Sequence, residues 1–346
     1  MENMKKIKLT LLGFGNAGQA FAKLLIDKKE QIAGQFNYEV DVVAIITRSR
    51  GCLVDSNGID LEKACHDMQS IGKFDESCQA FTTVSSMDAV MDIDYDLLIE
   101  LTPLNIYTGQ PAIDHIKAAF ARRKNVITAN KGPIAWAFKE LQETAEKQGC
   151  LFFYETTVMD GTPIFNLVQE TLKMCKVVEI NGILNTTTNF VLEEMAKGKE
   201  YENIITEGTR RGFIEADPSM DIEGWDAAAK VTALLNVLMN ANITPKDIDR
   251  TGIENITAED IKTADERGCV IKLICNGSIT DGQVKGSVRP IEIKKNELLA
   301  SIDGTSSVIS ITTDLMGKIS IVEHSPEIEQ TGYGIFSDLL RTLSKL

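Results

Sequence analysis

The stretch KIKLTLLGFGNAGQAFAKLL, residues 6–25, decides how the chain folds. It begins with a short apolar run that predicts a buried strand, and the spacing of Ala20, Leu24 and Leu25 predicts a helix. Between the two lies a G-x-G-x-x-G loop that joins the strand to the helix. This order is typical of a βα unit that opens a parallel sheet.

The glycine loop has the residues that a dinucleotide phosphate needs. Gly13 permits a tight turn, Gly15 lets a pyrophosphate approach the backbone, and Gly18 lets the helix pack closely on the strand. Asn16 and Ala17 open the helix, whose first turn offers backbone N–H groups to phosphate. The alternative is a glycine-bearing turn without a ligand. The strand–loop–helix setting favours the cofactor.

The end of the second predicted strand indicates which dinucleotide binds. NAD sites usually carry an acidic residue there, for the ribose hydroxyls, but this strand ends in Thr47, Arg48, Ser49 and Arg50. An arginine can pair with the 2′-phosphate of NADP, and Arg48 is the better placed of the two. We therefore predict NADP, with NAD as the alternative if both arginines are merely solvated.

Strand-like and helix-like segments alternate through residues 1–157, which predicts an α/β, doubly wound Rossmann domain. We interpret the polar segment 51–79 as an insertion beside the sheet, with one helix near 60–71. Residues 158–325 predict a second, α+β domain, and residues 326–346 predict a helix that packs back on the first domain. In the second domain, helices are expected at 162–174, 187–197, 201–212 and 224–241.

Composition restricts the class of protein. The 346 residues carry a net charge of −14, which argues against a nucleic-acid or anionic-membrane surface. The seven cysteines are scattered and form no C-x-x-C pair, as expected for reduced intracellular thiols. The N-terminal apolar run is too short for a signal peptide, and no run is long enough for a transmembrane helix. We expect a cytoplasmic protein with a small-molecule substrate.

Two further strands of the first domain end in polar, turn-prone residues, where a doubly wound sheet binds its ligands. One strand runs into Glu100-Leu101-Thr102-Pro103, and we expect Thr102 and Pro103 to contact the cofactor. The other runs into Thr128-Ala129-Asn130-Lys131-Gly132-Pro133. Lys131 is predicted to project from this loop toward the nicotinamide.

The segment DIEGWDAAAK, residues 221–230, admits two interpretations. Its alanines predict a helix, so that Asp226 and Lys230 lie one turn apart. As an exposed ion pair they would contribute only about 0.3–0.5 kcal/mol. The residues after Lys230 are strongly apolar, however, and a buried lysine beside a carboxylate can act in proton transfer. The preceding segment, 215–223, is predicted to be a loop whose acids could bind a cation or an ammonium group.

Several motifs together resemble those of the homoserine dehydrogenase family, over nearly the whole chain. The resemblance rests on the glycine loop, ELTP (100–103), TANKGP (128–133), GILNTTTNFVLEEM (182–195), GFIEADPSMDIEGWDAAAK (212–230) and VRPIEI (288–293). It implies a Rossmann domain, a catalytic and dimerisation domain, and a C-terminal helix that returns to the first domain. It also implies a homodimer, and residue 346 leaves no room for the ACT domain of longer members.

The family reduces L-aspartate 4-semialdehyde reversibly to L-homoserine with NAD(P)H, a step of threonine and methionine biosynthesis. By resemblance, Glu215 and Asp221 bind the substrate, and Asp221 accepts its ammonium group. Lys131 and Lys230 line the reacting centre, and Asp226 is the partner of Lys230. The resemblance leaves open which lysine donates the proton, and we favour Lys230.

The sequence departs from the family pattern beside the substrate. In the loop that provides carbonyl ligands for a monovalent cation such as Na⁺, Glu155 and Val158 match, but Met159 and Asp160 replace glycines. We assign Glu155, Val158 and Asp160 to that cation. Thr186 replaces a glycine and is assigned to the substrate. Two alternatives follow: a paralogue acting on a related amino-aldehyde or hydroxy-acid, and a cofactor-binding regulator without catalysis.

Overall fold

A computed structural model describes residues 4–215 and 217–346. Ala216, in the motif around the acidic segment, lies outside the described residues. The chain forms two compact units: one comprises the chain through Pro163 together with Glu327–Leu346, and the other comprises Ile164–Pro326. Within the described ranges, no helix is both long and apolar enough to cross a membrane.

The first unit alternates strands and helices. Its strands are β1 (Lys5–Leu12), β2 (Tyr38–Ile46), β3 (Cys52–Val54), β4 (Phe81–Thr82), β5 (Leu97–Glu100), β6 (Asn125–Thr128) and β7 (Phe152–Phe153). Its helices before the chain leaves the unit are α1 (Asn16–Phe36), α2 (Leu61–Ser70), α3 (Ser86–Asp92), α4 (Ala112–Ala121) and α5 (Lys131–Gln148).

The seven strands of this unit form one sheet in the order β4-β3-β2-β1-β5-β6-β7. β1 pairs in parallel with β2 on one side and with β5 on the other, so the strand order reverses at β1. Ligands of such sheets bind at the carboxyl ends of the strands beside this reversal. The predicted doubly wound fold is therefore confirmed.

The interpretation of residues 51–79 as an insertion beside the sheet is wrong. β3, inside the segment, pairs antiparallel with β2, and β4, directly after the segment, pairs antiparallel with β3. The segment therefore adds one strand to the sheet, and the residues that follow it add a second. These strands have three and two residues, too few to show an alternating pattern. The single helix predicted in the segment is present as α2.

The second unit combines helices with a mixed sheet. Its strands are β8 (Val177–Ile183), β9 (Asp249–Arg250), β10 (Cys269–Thr280), β11 (Gln283–Lys294), β12 (Ser307–Thr313) and β13 (Gly317–Glu323), in the spatial order β13-β12-β8-β10-β11-β9. Its helices are α6 (Thr186–Ala196), α7 (Tyr201–Arg211), α8 (Ser219–Ile222), α9 (Trp225–Met239) and α10 (Ala258–Glu266).

Two local predictions for this unit are wrong. The helix expected at 162–174 is only a short π-helical turn, Leu167–Thr171, which the chain leaves through Met174 in a left-handed conformation. The acidic segment 215–223 contains the one-turn helix α8, which begins directly after Pro218. Proline prevents a helix from continuing through it but is well suited to precede one.

Helix α9 packs directly on the sheet of the second unit. Gly277 of β10 and Gly286 of β11 face it, and a Cβ atom at either position would clash with Leu235. Ala227, Ala228, Ala229 and the apolar residues between Val231 and Leu235 are buried. The predicted burial of this helix is therefore confirmed over most of its length.

The last helix, α11 (Ile328–Lys345), belongs to the first unit. Its apolar side contributes Ile335, Phe336, Leu339 and Leu343 to the core of that unit. At Gly332 the helix approaches α1 so closely that a Cβ atom would lie 2.6 Å from the Cβ of Ala20.

Candidate active site

The glycine loop after β1 is shaped to receive a phosphate. Gly13 has φ +105°, and a Cβ atom there would lie 2.5 Å from the carbonyl oxygen of Leu101. Gly15 caps α1 without a side-chain contact, and an added Cβ atom would meet no described atom within 4 Å. At Gly18 it would lie 3.2 Å from the Gly13 oxygen. The first and third glycines thus hold the turn together, whereas the second borders open space at a helix N-terminus.

A buried carboxylate organises the adjacent strand ends. Glu100, the last residue of β5, has no solvent exposure, and the backbone N–H and hydroxyl of Thr102 both donate to its Oε1 atom. The hydroxyl of Thr128, at the end of β6, lies 3.4 Å from Oε2. The Asn130 amide then donates to the Thr102 carbonyl at 3.0 Å. The loops after β5 and β6 are therefore bound to each other.

Lys131 does not lie in a loop, as the sequence predicted, but is the first residue of α5. The helix begins there because the Asn130 side chain accepts a hydrogen bond from the backbone N–H of Gly132 at 2.9 Å. Lys131 is half-buried, at the carboxyl edge of the first sheet. A helix start holds the backbone of this lysine more rigidly than a loop would.

The residues after β2 form a turn that carries two arginines. Arg48 and Arg50 are both exposed, and no acidic side chain stands between Thr47 and Arg50. The Thr47 hydroxyl donates to the Gly51 carbonyl at 2.6 Å and accepts from the Arg50 N–H at 2.9 Å. The turn therefore has a defined backbone conformation, with both guanidinium groups in water.

In the second unit, the structure brings together three of the predicted site residues. Asp221 belongs to α8, while Asp226 and Lys230 lie in the first two turns of α9. The Lys230 ammonium lies 3.6 Å from the Asp226 carboxylate, and the two side chains are only 16% and 14% exposed. An ion pair exposed to solvent, the first of the two interpretations, does not fit this degree of burial. We name these three residues the acid–lysine cluster.

Sequence reasoning missed the two residues that hold this cluster. The Asn185 amide donates to Asp221 at 2.6 Å and to Asp226 at 3.0 Å. The Leu184 carbonyl accepts a hydrogen bond from Lys230 at 2.6 Å. Both residues lie in the turn between β8 and α6. The motif GILNTTTN includes this turn, but the sequence led us to assign Thr186 to the substrate and no role to Asn185.

The cluster perturbs the ionisation of its members. The pKa of the Asp221 carboxyl is raised, first by burial and then by the nearby Asp226 carboxylate. Hydrogen bonds from Asn185 and Thr187 and the charge of Lys230 oppose this increase in pKa. Beneath the cluster, burial raises the pKa of the Cys275 thiol to about 12, so this group stays neutral.

Two other residues predicted to bind substrate lie outside this contact network. Glu215 is exposed and makes no hydrogen bond to the cluster in the described part of the chain. Thr186 is half-buried at the first position of α6, whereas the neighbouring Thr187 contacts Asp221. The loop around Glu215 also includes Ala216, which is not among the described residues.

The loop assigned to a monovalent cation is attached to α11. The backbone N–H of Glu155 donates to Asp338 at 2.9 Å, and the Thr331 hydroxyl donates to Asp160 at 2.6 Å. Glu155 and Val158 are buried, and Asp160 has φ +39°, a conformation that aspartate tolerates better than most residues. Burial raises the pKa of the Asp338 carboxyl to about 7, although the hydrogen bond from the Glu155 N–H lowers it.

Fold and sites together define a class of protein. A Rossmann-type sheet with a phosphate-accepting glycine loop is the framework of dehydrogenases that use a nicotinamide dinucleotide. A second unit with a half-buried lysine and paired carboxylates supplies groups for acid–base chemistry. These features indicate an NAD(P)-dependent oxidoreductase.

Comparison with known proteins specifies the family. The profile described as homoserine dehydrogenase matches residues 163–340, and that described as its NAD binding domain matches residues 13–155. The homoserine dehydrogenase of Methanocaldococcus jannaschii is 40% identical over 96% of this chain and 97% of its own length. The NAD(+)-dependent homoserine dehydrogenase of Pseudomonas canavaninivorans is 30% identical over 97% of this chain and 96% of its own length.

A solved structure agrees with these comparisons. A hyperthermophilic archaeal homoserine dehydrogenase in complex with NADPH superimposes with a TM-score of 0.84 at 27% identity, covering 99% of this chain and 98% of its own. The chain belongs to the homoserine dehydrogenase family. The predicted activity is confirmed: the chain is an NAD(P)-dependent oxidoreductase that interconverts L-homoserine and L-aspartate 4-semialdehyde.

The open space at Gly15 leads to a test of the cofactor loop. Because φ at Gly15 is −76° and no described atom is near, the methyl group of Gly15→Ala meets no clash, and the free energy of unfolding should fall by no more than about 1 kcal/mol, the usual cost of alanine at an N-cap. The added methyl group should nevertheless separate the loop from the pyrophosphate and raise the Kd for NADPH roughly 10–100-fold, as expected for weakened hydrogen bonds to a charged group. Fluorescence titration and thermal unfolding measure the two quantities.

Gly34→Ala is the matched control, since Gly34 lies in the same helix and also borders open space. It should increase stability by about 0.5–1 kcal/mol and leave the Kd for NADPH unchanged. An unchanged Kd in Gly15→Ala would show that phosphate does not approach this glycine.

Proposed function

We propose that the acid–lysine cluster of the second unit binds the amino group of the substrate and handles the proton of the reaction. The observation that carries the assignment is the contact of Lys230 with both Asp226 and the Leu184 carbonyl, next to a half-buried Asp221. The glycine loop and strand ends of the first unit are assigned to the cofactor.

Asp221 is assigned to the substrate ammonium group. A carboxylate with two hydrogen-bond donors, Asn185 and Thr187, stays fixed in direction and can accept a further charged donor. A bound ammonium group would in turn stabilise the ionised form of Asp221 and lower its pKa, which burial and Asp226 raise. The site would therefore discriminate in favour of amino-aldehydes over aldehydes that lack the amine.

Lys230 is assigned as the proton donor in the direction of reduction. The nicotinamide cofactor supplies a hydride to the aldehyde carbon when it is bound. The carbonyl electron pair then moves to oxygen, and the Lys230 ammonium stabilises the developing alkoxide and transfers a proton to it. Asp226 orients Lys230 and compensates its charge in a poorly solvated setting. In the reverse direction the neutral amine of Lys230 accepts the hydroxyl proton.

Lys131 is retained as a second catalytic candidate. It matches the family motif TANKGP and is held at the start of α5 by Asn130. Thr102 and Pro103 are assigned to the cofactor, because Glu100 fixes the backbone and hydroxyl of Thr102 at the carboxyl edge of the sheet.

We further propose that NADP is preferred over NAD. The relatives use both kinds of cofactor by name, since one is described as NAD(+)-dependent and another was solved with NADPH. In this chain the support comes from Arg48, which is exposed after β2 in a turn without acidic side chains. A carboxylate there would repel a 2′-phosphate, whereas a guanidinium would pair with it.

A monovalent cation such as Na⁺ is assigned to Glu155, Val158 and Asp160. The residues present fit such an ion, because the loop concentrates oxygen donors and buried negative charge. Glu155 and Asp338 are both buried, and the Arg341 guanidinium lies 3.5 Å from the Asp338 carboxyl. A bound cation would favour the ionised forms of these carboxyls and hold the loop in its observed conformation.

The homodimer implied by the family resemblance is also part of the proposal. Strand β13 forms one edge of the second sheet, and Leu315 and Met316 are 70% and 61% exposed at the turn before it. An exposed edge strand and apolar turn are suited to burial against another chain.

Lys230→Ala tests the assignment of the proton donor. It should lower kcat for NADP-dependent oxidation of L-homoserine by a factor on the order of 10²–10⁴, the usual contribution of a positioned acid–base group. The Kd for NADP should stay unchanged. Lys262→Ala, which removes an exposed lysine from α10 of the same unit, should retain wild-type kcat. A Lys230→Ala enzyme with wild-type kcat would contradict the assignment.

Arg48→Ala tests the cofactor preference. The ratio of kcat/KM with NADP to kcat/KM with NAD should decrease roughly 10–100-fold, which corresponds to the loss of a charge-assisted contact. Arg123→Ala, an exposed arginine after α4, is the control for the loss of one positive charge. If wild type already prefers NAD and Arg48→Ala leaves the ratio unchanged, the preference for NADP is wrong.

A further inference from the structure

We propose that Asn185 is a positioning residue of the reaction: it keeps Asp221 and Asp226 ionised side by side, so that one carboxylate binds the substrate and the other serves Lys230. This inference rests on the proposed function of the acid–lysine cluster and adds a residue to which no catalytic role was assigned. It follows from the hydrogen-bond directions at one side chain.

The Asn185 amide can point in only one direction. Its Oδ1 atom accepts hydrogen bonds from the backbone N–H of Thr188 at 2.8 Å and from the Thr188 hydroxyl at 2.9 Å. These contacts cap the N-terminus of α6. Because Oδ1 accepts these two hydrogen bonds, Nδ2 faces the carboxylates. If the amide were rotated by 180°, the cap of α6 would be lost and Oδ1 would lie against the carboxylate oxygens.

The two N–H groups of Nδ2 therefore bridge the acids. One carboxylate oxygen of Asp221 lies 2.6 Å from Nδ2, and one of Asp226 lies 3.0 Å away. Two carboxylates that share a poorly solvated site raise each other's pKa, and one of them would otherwise tend to take up a proton. A protonated Asp221 would lose its attraction for an ammonium group, and a protonated Asp226 would no longer compensate Lys230.

The charged and titratable groups that face Asn185 come from three elements. Asp221 belongs to α8, Asp226 and Lys230 belong to α9, and Cys275 of β10 accepts a hydrogen bond from the Leu184 backbone beneath them. Lys230 donates to the Leu184 carbonyl at 2.6 Å. Neighbouring residues of a single turn thus contact both acids and the lysine, so the turn sets their mutual positions.

Two substitutions separate this role from helix capping. Serine and aspartate are both good N-cap residues, so Asn185→Ser and Asn185→Asp should each preserve the start of α6. Serine is too short to bridge the acids, and aspartate replaces the two donors with a third carboxylate. Asn276→Ser is the control, since Asn276 makes an amide contact of 3.5 Å with the Glu179 carboxylate elsewhere in the same unit.

The readout is the pH dependence of kcat/KM for NADPH-dependent reduction of L-aspartate 4-semialdehyde. In this direction Asp221 must be ionised to bind the ammonium group, so its pKa sets the acid limb, and Lys230 must be protonated, so its pKa sets the alkaline limb. Because Asn185 lowers the pKa of Asp221, its loss raises that pKa and moves the acid limb to higher pH.

In Asn185→Ser the acid limb should move upward by about one pH unit, a tenfold change in the proton concentration at half-maximal activity. In Asn185→Asp it should move further, and the added negative charge should also shift the alkaline limb upward by raising the pKa of Lys230. The Kd for NADPH should stay near wild type in both variants, as should the whole pH profile of Asn276→Ser.

If Asn185→Ser and Asn185→Asp both retain the wild-type profile, Asn185 is only a helix cap and the inference is wrong. Asp221→Asn distinguishes this result from failure of the proposed function. When Asp221→Asn abolishes the acid limb but the Asn185 variants leave it in place, only the inference fails. When Asp221→Asn leaves the acid limb in place, the assignment of Asp221 itself is wrong.

Discussion

The second unit keeps two carboxylates and one ammonium group largely out of water, and its chemistry depends on how their charges are balanced. Withdrawal of an ion from water costs several kcal/mol unless hydrogen bonds and an opposite charge replace the lost solvent. Here the Asn185 amide solvates both acids, and the Leu184 carbonyl solvates the lysine. The cluster can therefore stay charged at reduced exposure, where its electrostatic effects on a substrate are strongest.

The surrounding fold holds these groups at fixed positions. Glycines of β10 and β11 let α9 approach the sheet, and this brings Lys230 to the carboxyl end of β8. On the opposite side, Arg250 stacks on the Trp225 ring, 3.8 Å from its centroid, and donates to the Glu223 carbonyl. The short connection between α8 and α9, which sets the separation of Asp221 from Asp226, is thus supported by packing from another strand.

The extent to which the sequence predicted these features depends on how local they are. The glycine loop and the pair Asp226 and Lys230 each lie within a few consecutive residues, so their patterns can be recognised in the sequence. Asn185 contacts Asp221 across 36 residues, and that contact depends on the position of β8 between β12 and β10. No local pattern carries this information. Short strands likewise depend on their partners, since β3 pairs with β2 and β4 pairs with β3. Lys131 begins a helix because Asn130 caps it.

The most direct test of this account is a crystal structure of the chain with NADP and L-homoserine bound. The account predicts that the substrate ammonium lies within hydrogen-bond distance of Asp221 and that the substrate hydroxyl lies within hydrogen-bond distance of Lys230. Asn185 should still bridge Asp221 and Asp226 in that complex. An ammonium group bound to other residues, with the hydroxyl remote from Lys230, would contradict the central claim that this cluster binds the substrate and handles the proton.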